Sequence, residues 1–312
     1  MQRYLKVSKS SPITLLRLSC YYMQRVATSR RLRQLSTKLT LRLLPVFYPL
    51  TQRTSARSPR TQEFLSRGIT SLGCVLTDQQ RADIHAYLAN QPVIDTRGSG
   101  RQYSLFERPA ESSLIDYSLQ TAVNCPHILE LANRSDLLHF AAEVLGFTPT
   151  ITNLSLRWSF PSNNTNDDVQ HFHRDVELTA FKVLVYLTDV GMDSGPHVYV
   201  TESHLDRMPV RLRRYSDLDV SQKGYSSLTI CGDAGTAFAI DTKGIHKGEP
   251  PSIRPRLLLG IQYALLPCPI YDYSPVRRQS TAGFDKYVNR LIIDFSEPSP
   301  AYVNRTCADM LN

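Results

Sequence analysis

The first 62 residues contain no aspartate and no glutamate, and the first acid is Glu63. The same stretch holds thirteen lysines and arginines, so it cannot neutralise itself by internal pairing. That leaves 23 of the 36 basic residues against all 28 acidic ones in the other 250 positions, a net of −5. The overall charge of +8 therefore belongs to one end of the chain. A nucleic-acid-binding domain carries its basic patch on the folded body, so the mildly acidic remainder argues against that class of partner. Cysteine is sparse and scattered: Cys20, Cys74, Cys125, Cys231, Cys268 and Cys307 include no C-x-x-C pair. This speaks against a thiolate metal site and against a disulfide framework, and fits reduced thiols in an intracellular compartment. Long apolar runs are missing too. Arg or Lys interrupts every stretch of residues 1–50 before it reaches the length of a membrane span.

What the basic end does have is helical periodicity. Leu15, Leu18, Tyr22 and Val26, then Leu32, Leu35, Leu39 and Leu43, recur at intervals of three and four. Arg17, Arg25, Arg30, Arg31, Arg33, Lys38 and Arg42 fall largely on other faces. A basic amphipathic helix suits an anionic membrane surface. An acid-free, Arg-rich and hydroxyl-rich segment equally fits a mitochondrial presequence, and a disordered tail has the same composition. Pro45 and Pro49 end the pattern, and residues 51–62 read as a linker. Residues 1–61 are thus expected to be a targeting or membrane-surface unit, dispensable for catalysis, whose apolar stripe has no partner on the body. The expected location is cytoplasmic or membrane-peripheral, or mitochondrial if the segment is a transit peptide.

Residues 62–312 read as one body: a helical lead-in over 62–150, a β region over 151–268 and an extension over 269–312. In the lead-in Glu63–Gly68 reads as a short helix. Thr77-Asp-Gln-Gln80 has the form of a capping box before a helix to about Leu88. Further helices are expected over Ser113–Val123, Pro126–Ala132 and Ser135–Leu145, with His127 and His139 as packing or surface residues. From about residue 150 the pattern changes to strands: Ile151–Phe160, Val169–Arg174, Phe181–Val190, Val198–Val200, Leu228–Cys231, Thr236–Asp241 and Arg256–Leu265. Many short strands with Gly/Pro turns predict a mainly β architecture with flanking helices, a sandwich or barrel. The polar, basic insertion 205–225 reads as a substrate lid beside the barrel mouth or else as a solvated excursion.

The chemistry centres on Gln170–His204. His173 and Asp175 are two apart, which in an extended strand puts both on one face. An imidazole and a carboxylate supply two of the three ligands of a facial Fe(II) site, which keeps positions open for substrate and oxygen. His171 rivals His173 but lacks an acid two residues on. His197, His204 and His246 are the downstream candidates for the third ligand, and Ser203-His204 reads better as a cap on the next element. Along Arg256–Tyr263, Arg256, Leu258, Gly260 and Gln262 share one face, a polar and roomy one. Leu257, Leu259, Ile261 and Tyr263 share the other. The planar fork of Arg256 suits a carboxylate, while Arg254 precedes Pro255 and reads as turn; a plain salt bridge is the alternative for either. Lys182 and Tyr186 share a strand face and are candidates to reach a cosubstrate, or else a snorkelling Lys and a core Tyr. Arg157 and Trp158 either line the cavity or join the core.

Taken together, residues 62 to 266 resemble the phytanoyl-CoA dioxygenase family of Fe(II)/2-oxoglutarate oxygenases. The resemblance rests on His173-Arg174-Asp175, the strand Lys182–Val190, Gly195-Pro196, Ser203-His204, and the distal His246 and Arg256. It implies a double-stranded β-helix, a jelly-roll, cupin-like barrel. It implies Fe(II) on His173, Asp175 and His246, and 2-oxoglutarate held through its C5 carboxylate by Arg256, with Lys182 and Tyr186 as further contacts. It implies O2 as co-reactant and hydroxylation of a small organic substrate with release of succinate and CO2. A carboxylate at Asp175 fits hydroxylation rather than halogenation. Two other readings compete: a jelly-roll protein that binds metal or ligand without turnover, and a metal-dependent cupin enzyme that uses no 2-oxoglutarate and so has no role for Arg256. The substrate itself is not given by fold and metal site.

Overall fold

Alternation along Arg256–Ala264 organises the molecule. Leu257, Leu259, Ile261 and Tyr263 are fully buried in an apolar core under helices, while Arg256, Leu258, Gly260 and Gln262 face a cavity. The structure is a computed structural model. It describes residues 3–4, 12–26, 28–48, 52–96, 99–162, 170–175, 177, 179–206, 214–222 and 224–296. Of the segments singled out in the sequence, Pro49, Thr51 of the linker, Val169, residues 207–213 and 223 of the insertion and residues 297–312 of the extension lie outside these.

In chain order, strand β1 (Arg3–Tyr4) is followed by helices α1 (Pro12–Val26) and α2 (Arg30–Phe47). Next come α3 (Pro59–Arg67), β2 (Ile69–Cys74), α4 (Asp78–Ala89), β3 (Val93–Ile94), β4 (Gln102–Tyr103) and β5 (Leu114–Tyr117). Three helices follow: α5 (Leu119–Asn124), α6 (Ile128–Ala132) and α7 (Ser135–Leu145). The second half is built of strands: β6 (Thr150–Ser159), β7 (Ala180–Tyr186), β8 (His197–Val200), β9 (Ser227–Ile230), β10 (Thr236–Ile240), β11 (His246–Gly248), β12 (Arg256–Ala264) and β13 (Tyr271–Asp272). A short α8 (Asp217–Ser221) precedes β9.

The strands form an eight-stranded sheet, ordered β2-β10-β7-β12-β6-β5-β3-β4, and a three-stranded sheet, β11-β8-β9. All pairings in both are antiparallel. The mainly β architecture with flanking helices matches the expectation; among the described residues both sheets are open. The strands of the small sheet are only three or four residues long, too short to continue a ladder around the cavity. Isolated bridges, His173 with His246 and Val190 with Gly232, link the chain instead.

Local signals act where the sequence placed them. Thr77 Oγ1 accepts from Gln80 N and Gln80 Oε1 accepts from Thr77 N, so α4 starts on a reciprocal capping box. α3 starts earlier than expected, with Ser58 as N-cap and Pro59 in the first turn, and ends at Gly68, whose φ of 79° is left-handed. A Cβ on Gly68 would meet the Tyr199 hydroxyl at 2.2 Å, so this close approach also requires glycine. The expected helix over 113–123 is instead β5 followed by α5. Leu114, Ile115, Asp116 and Tyr117 are all buried, so no alternation betrays the strand. Its partner β6 fixes it, because buried Asp116 pairs with Arg157 across the two strands.

The first two helices belong to this body through one face each. Arg17 of α1 donates to the Tyr271 carbonyl, Leu18 is buried, and Tyr21 reaches the cavity wall beside Ile270 and Tyr271. On α2, Arg33 is buried and donates to the Gln24 carbonyl at 2.9 Å, and Leu44 packs with Phe147 and Leu265. The expectation that the apolar stripe finds no partner therefore fails for Leu18. It describes Leu15, Tyr22, Leu32, Leu35, Leu39 and Leu43, which are all exposed.

Candidate metal centre

The segment 170–175 runs beside β11, and backbone hydrogen bonds set its register. His173 N donates to His246 O at 2.9 Å and His246 N to His173 O at 3.0 Å, while Asp175 N donates to Thr242 O at 2.8 Å. The pairing brings the two imidazoles together, tilted at 52° with centroids 4.4 Å apart, and brings Asp175 to them. One ligand atom from each of His173, Asp175 and His246 lies within 4.8 Å of the others. His171, His197 and His204 are outside this cluster.

The tautomers suit a metal. His173 Nδ1 is 2.8 Å from the His171 carbonyl oxygen, and His246 Nδ1 is 3.0 Å from the Gly244 carbonyl oxygen. A carbonyl can only accept, so each Nδ1 carries the proton and each Nε2 presents a lone pair, as metal-binding imidazoles require. Burial first, and then the charge of His173, push the His246 pKa down to about 3, against the opposing pull of Asp175. Burial alone would raise the Asp175 carboxyl. Lys182, His246 and His173 outweigh it and hold the group well below its ordinary value. A neutral imidazole and an ionised carboxylate are the forms a divalent cation takes up.

The cluster opens into a cavity of about 290 Å³ between the two sheets. Deeper in it lies Arg256, 5 % exposed. Its Nη2 contacts Ser159 Oγ at 3.3 Å, while Nε and Nη1 have no partner among the described residues. Burial, then Arg157, lower its pKa to about 10, which still leaves a cation at neutral pH. A buried, unpaired guanidinium is costly unless an anion completes it. Gly248 makes room for it, since a Cβ there would stand 2.9 Å from Arg256 Nη2.

The remaining sequence candidates are distributed as follows. Lys182 lines the cavity, with Nζ 2.6 Å from Asp175 Oδ2. Tyr186, expected at a cosubstrate, is not part of the lining. Its hydroxyl donates to Ile230 O at 2.7 Å and accepts from His197 N at 2.9 Å, so it ties the two sheets together and its hydrogen-bonding capacity is used there. Arg254 pairs on the surface with Asp193 through two contacts of 2.8 and 2.9 Å. His204 Nε2 bonds to Leu65 O at 3.0 Å, away from the cavity. Arg157 lines the cavity and Trp158 points to the opposite side, stacked on Phe160.

Sequence reasoning left several lining residues without their role at the cavity. His197 was weighed only as a ligand. Its ring stacks on His246 with centroids 5.6 Å apart, its Nε2 is buried without a partner, and burial, then His246 and Arg256, keep its pKa well below the ordinary value. Gln170, with an unpartnered buried Oε1, and Glu177 stand near the cluster. The half-buried Glu177 carboxyl is raised by desolvation and by Asp175. Tyr21 arrives from α1, and nothing local in the sequence ties residue 21 to residue 173.

No family model matches the chain, and no curated protein matches it. Among solved structures it is similar to AviO1 from Streptomyces viridochromogenes Tue57, at 17 % identity and a TM-score of 0.45, covering 68 % of this chain and 96 % of that one. It is similar to EctD from S. alaskensis with 2-oxoglutarate and 5-hydroxyectoine, at 16 % identity and a TM-score of 0.49, covering 68 % and 78 %. It is also similar to HygX from Streptomyces hygroscopicus with nickel and 2-oxoglutarate bound, at 14 % identity and a TM-score of 0.48, covering 73 % and 93 %. All three superpositions fall below a TM-score of 0.5, and what the cavity can do follows from its own geometry. It offers two imidazole nitrogens and a carboxylate for a cation, and a buried guanidinium for an anion.

Proposed function

We propose that the protein is an Fe(II)- and 2-oxoglutarate-dependent oxygenase of the phytanoyl-CoA dioxygenase type, on a double-stranded β-helix, that hydroxylates a small organic substrate. The observation that carries this reading is the meeting, in one cavity, of the His173–Asp175–His246 cluster with the unpaired guanidinium of Arg256. A metal-dependent cupin enzyme without 2-oxoglutarate leaves that buried cation unexplained, as does a metal-binding protein without turnover.

His173, Asp175 and His246 would hold Fe(II), a set of two imidazoles and one carboxylate that leaves positions open. With 2-oxoglutarate and O2, the iron supplies the oxidative chemistry in which one oxygen atom enters a substrate C–H bond and the other enters succinate, with loss of CO2. The residues of this chain orient the participants. Arg256 takes the far carboxylate of 2-oxoglutarate in its fork, and Ser159 Oγ steadies the guanidinium. His197, held neutral beside Arg256, presents Nε2 to the same end of the cavity. Lys182 engages one oxygen of Asp175 and so turns the other toward the imidazoles. Gln170 and Glu177 offer oxygen acceptors to a substrate that carries hydroxyl or amino groups.

The test is an aerobic incubation of the protein, Fe(II) and 2-oxoglutarate with a polar metabolite extract. Succinate release is measured, and mass spectrometry looks for products that gain one oxygen atom. Absence of an Fe(II)-dependent 2-oxoglutarate charge-transfer band would rule the reading out before any substrate is found.

A further inference from the structure

We propose that α1 and α2 form a docking face for an anionic phospholipid surface. On α2, Leu32, Leu35, Leu39, Leu43 and Val46 are between 45 % and 72 % exposed. At the pitch of an α-helix they fall within an arc of about 80°. The inner face of the same helix, with Arg33, Thr37, Leu41 and Leu44, is the one turned to the protein. The outer stripe joins no packed cluster among the described residues. α1 repeats the arrangement: Leu18 and Tyr21 face inward, while Leu15, Leu16, Tyr22 and Met23 face out.

Charge selects the occupant. Exposed Arg31, Lys38 and Arg42 form a row along the α2 stripe, and no acid precedes Glu63 to compensate it. A second copy of the same face would set like charge against like. A nucleic acid would meet the cations but strand the leucines in water. An anionic bilayer satisfies both: headgroups meet the cations and the acyl boundary takes the apolar stripe. No described helix is long and apolar enough to cross the membrane, so the contact is in the plane of the interface. Through Tyr21 and the bond from Arg17 to the Tyr271 carbonyl, docking places the membrane beside one wall of the metal cavity. The inference does not depend on the proposed reaction.

The experiment uses the full chain and vesicle sedimentation, with phosphatidylcholine alone or mixed with phosphatidylserine. Binding to the phosphatidylserine vesicles is expected to exceed binding to neutral ones by about tenfold or more, and to weaken in 1 M salt, where the Debye length is ~3 Å. Leu35→Ser/Leu39→Ser and Arg31→Glu/Lys38→Glu/Arg42→Glu should each lose binding while keeping the wild-type thermal midpoint. The proposal is overturned if full-length protein ignores anionic vesicles, or if a folded stripe or charge variant binds them as well as wild type. Two other results overturn it: a dimer in sedimentation equilibrium that Leu35→Ser/Leu39→Ser dissolves, without vesicle binding, and a mature chain that begins after α2 in its own cells.

Discussion

Lys182 Nζ stands 2.6 Å from Oδ2 of Asp175, while Oδ1 of the same carboxylate lies 3.8 Å from His173 Nε2. The lysine thereby divides the work between two oxygens, one held and one offered to a metal. Removing an outer partner of this kind typically weakens metal binding by about 10–100-fold. Lys182→Met should weaken Fe(II) to that extent in anaerobic titration, whereas Asp175→Ala should lose stoichiometric binding altogether. His171→Ala should keep it, since only the carbonyl of His171 is used. Unchanged affinity in Lys182→Met would show that the backbone alone orients the carboxylate.

Arg256→Ala should leave Fe(II) binding intact and weaken 2-oxoglutarate by about 2–5 kcal/mol, the cost of deleting one partner of a buried charge-assisted pair. Arg254→Ala, on the exposed pair with Asp193, should change it little. Gly248→Ala, whose Cβ would stand 2.9 Å from Arg256 Nη2, should shift the fork and raise the 2-oxoglutarate dissociation constant too. The charge-transfer band reports all three.

Asp116 is fully buried and accepts from Arg157 at 2.8 and 3.1 Å. Asp116→Ala should destabilise the fold by about 3–5 kcal/mol, because it removes the buried carboxylate that pairs with a largely buried cation. Urea unfolding measures this. A loss below about 1 kcal/mol would mean that water reaches Arg157 through the cavity.

His197 stays neutral in the folded chain, its pKa pushed well below the ordinary 6.5 by burial and then by the charges of His246 and Arg256. In the unfolded chain it takes up a proton as pH falls through about 6.5. The unfolded state then binds more protons, so stability is complete above about pH 6.5 and declines below it, by up to about 1.4 kcal/mol per pH unit. His246, lowered to about 3, acts in the same direction in metal-free protein. His197→Leu should make the pH dependence shallower by one proton, read from urea midpoints of metal-free protein between pH 7.5 and 5.

Spacing carried the site further than it carried the fold. His173 and Asp175 lie two apart on an extended segment, and the alternation of β12 put Arg256 and Gln262 on the face that lines the cavity. Strand β5 was illegible because all four of its residues are buried, which erases the period of two. Tyr186 misled for a related reason: facing the right sheet surface says nothing about who claims a hydroxyl, and here the neighbouring sheet does. Tyr21 was out of reach because its neighbours, Ile270 and Tyr271, are some 250 residues away in the chain. Local periodicity holds no record of such a contact.

The mutual backbone bonds between His173 and His246 act as a rung made of main chain alone. Side-chain identity does not enter it. A descendant chain could exchange either imidazole for another side chain and keep the rung, the cavity and the two sheets. The scaffold can therefore be inherited without the proposed reaction, and a relative that lacked the metal ligands would differ from this chain in a few nitrogen atoms and hardly at all in shape.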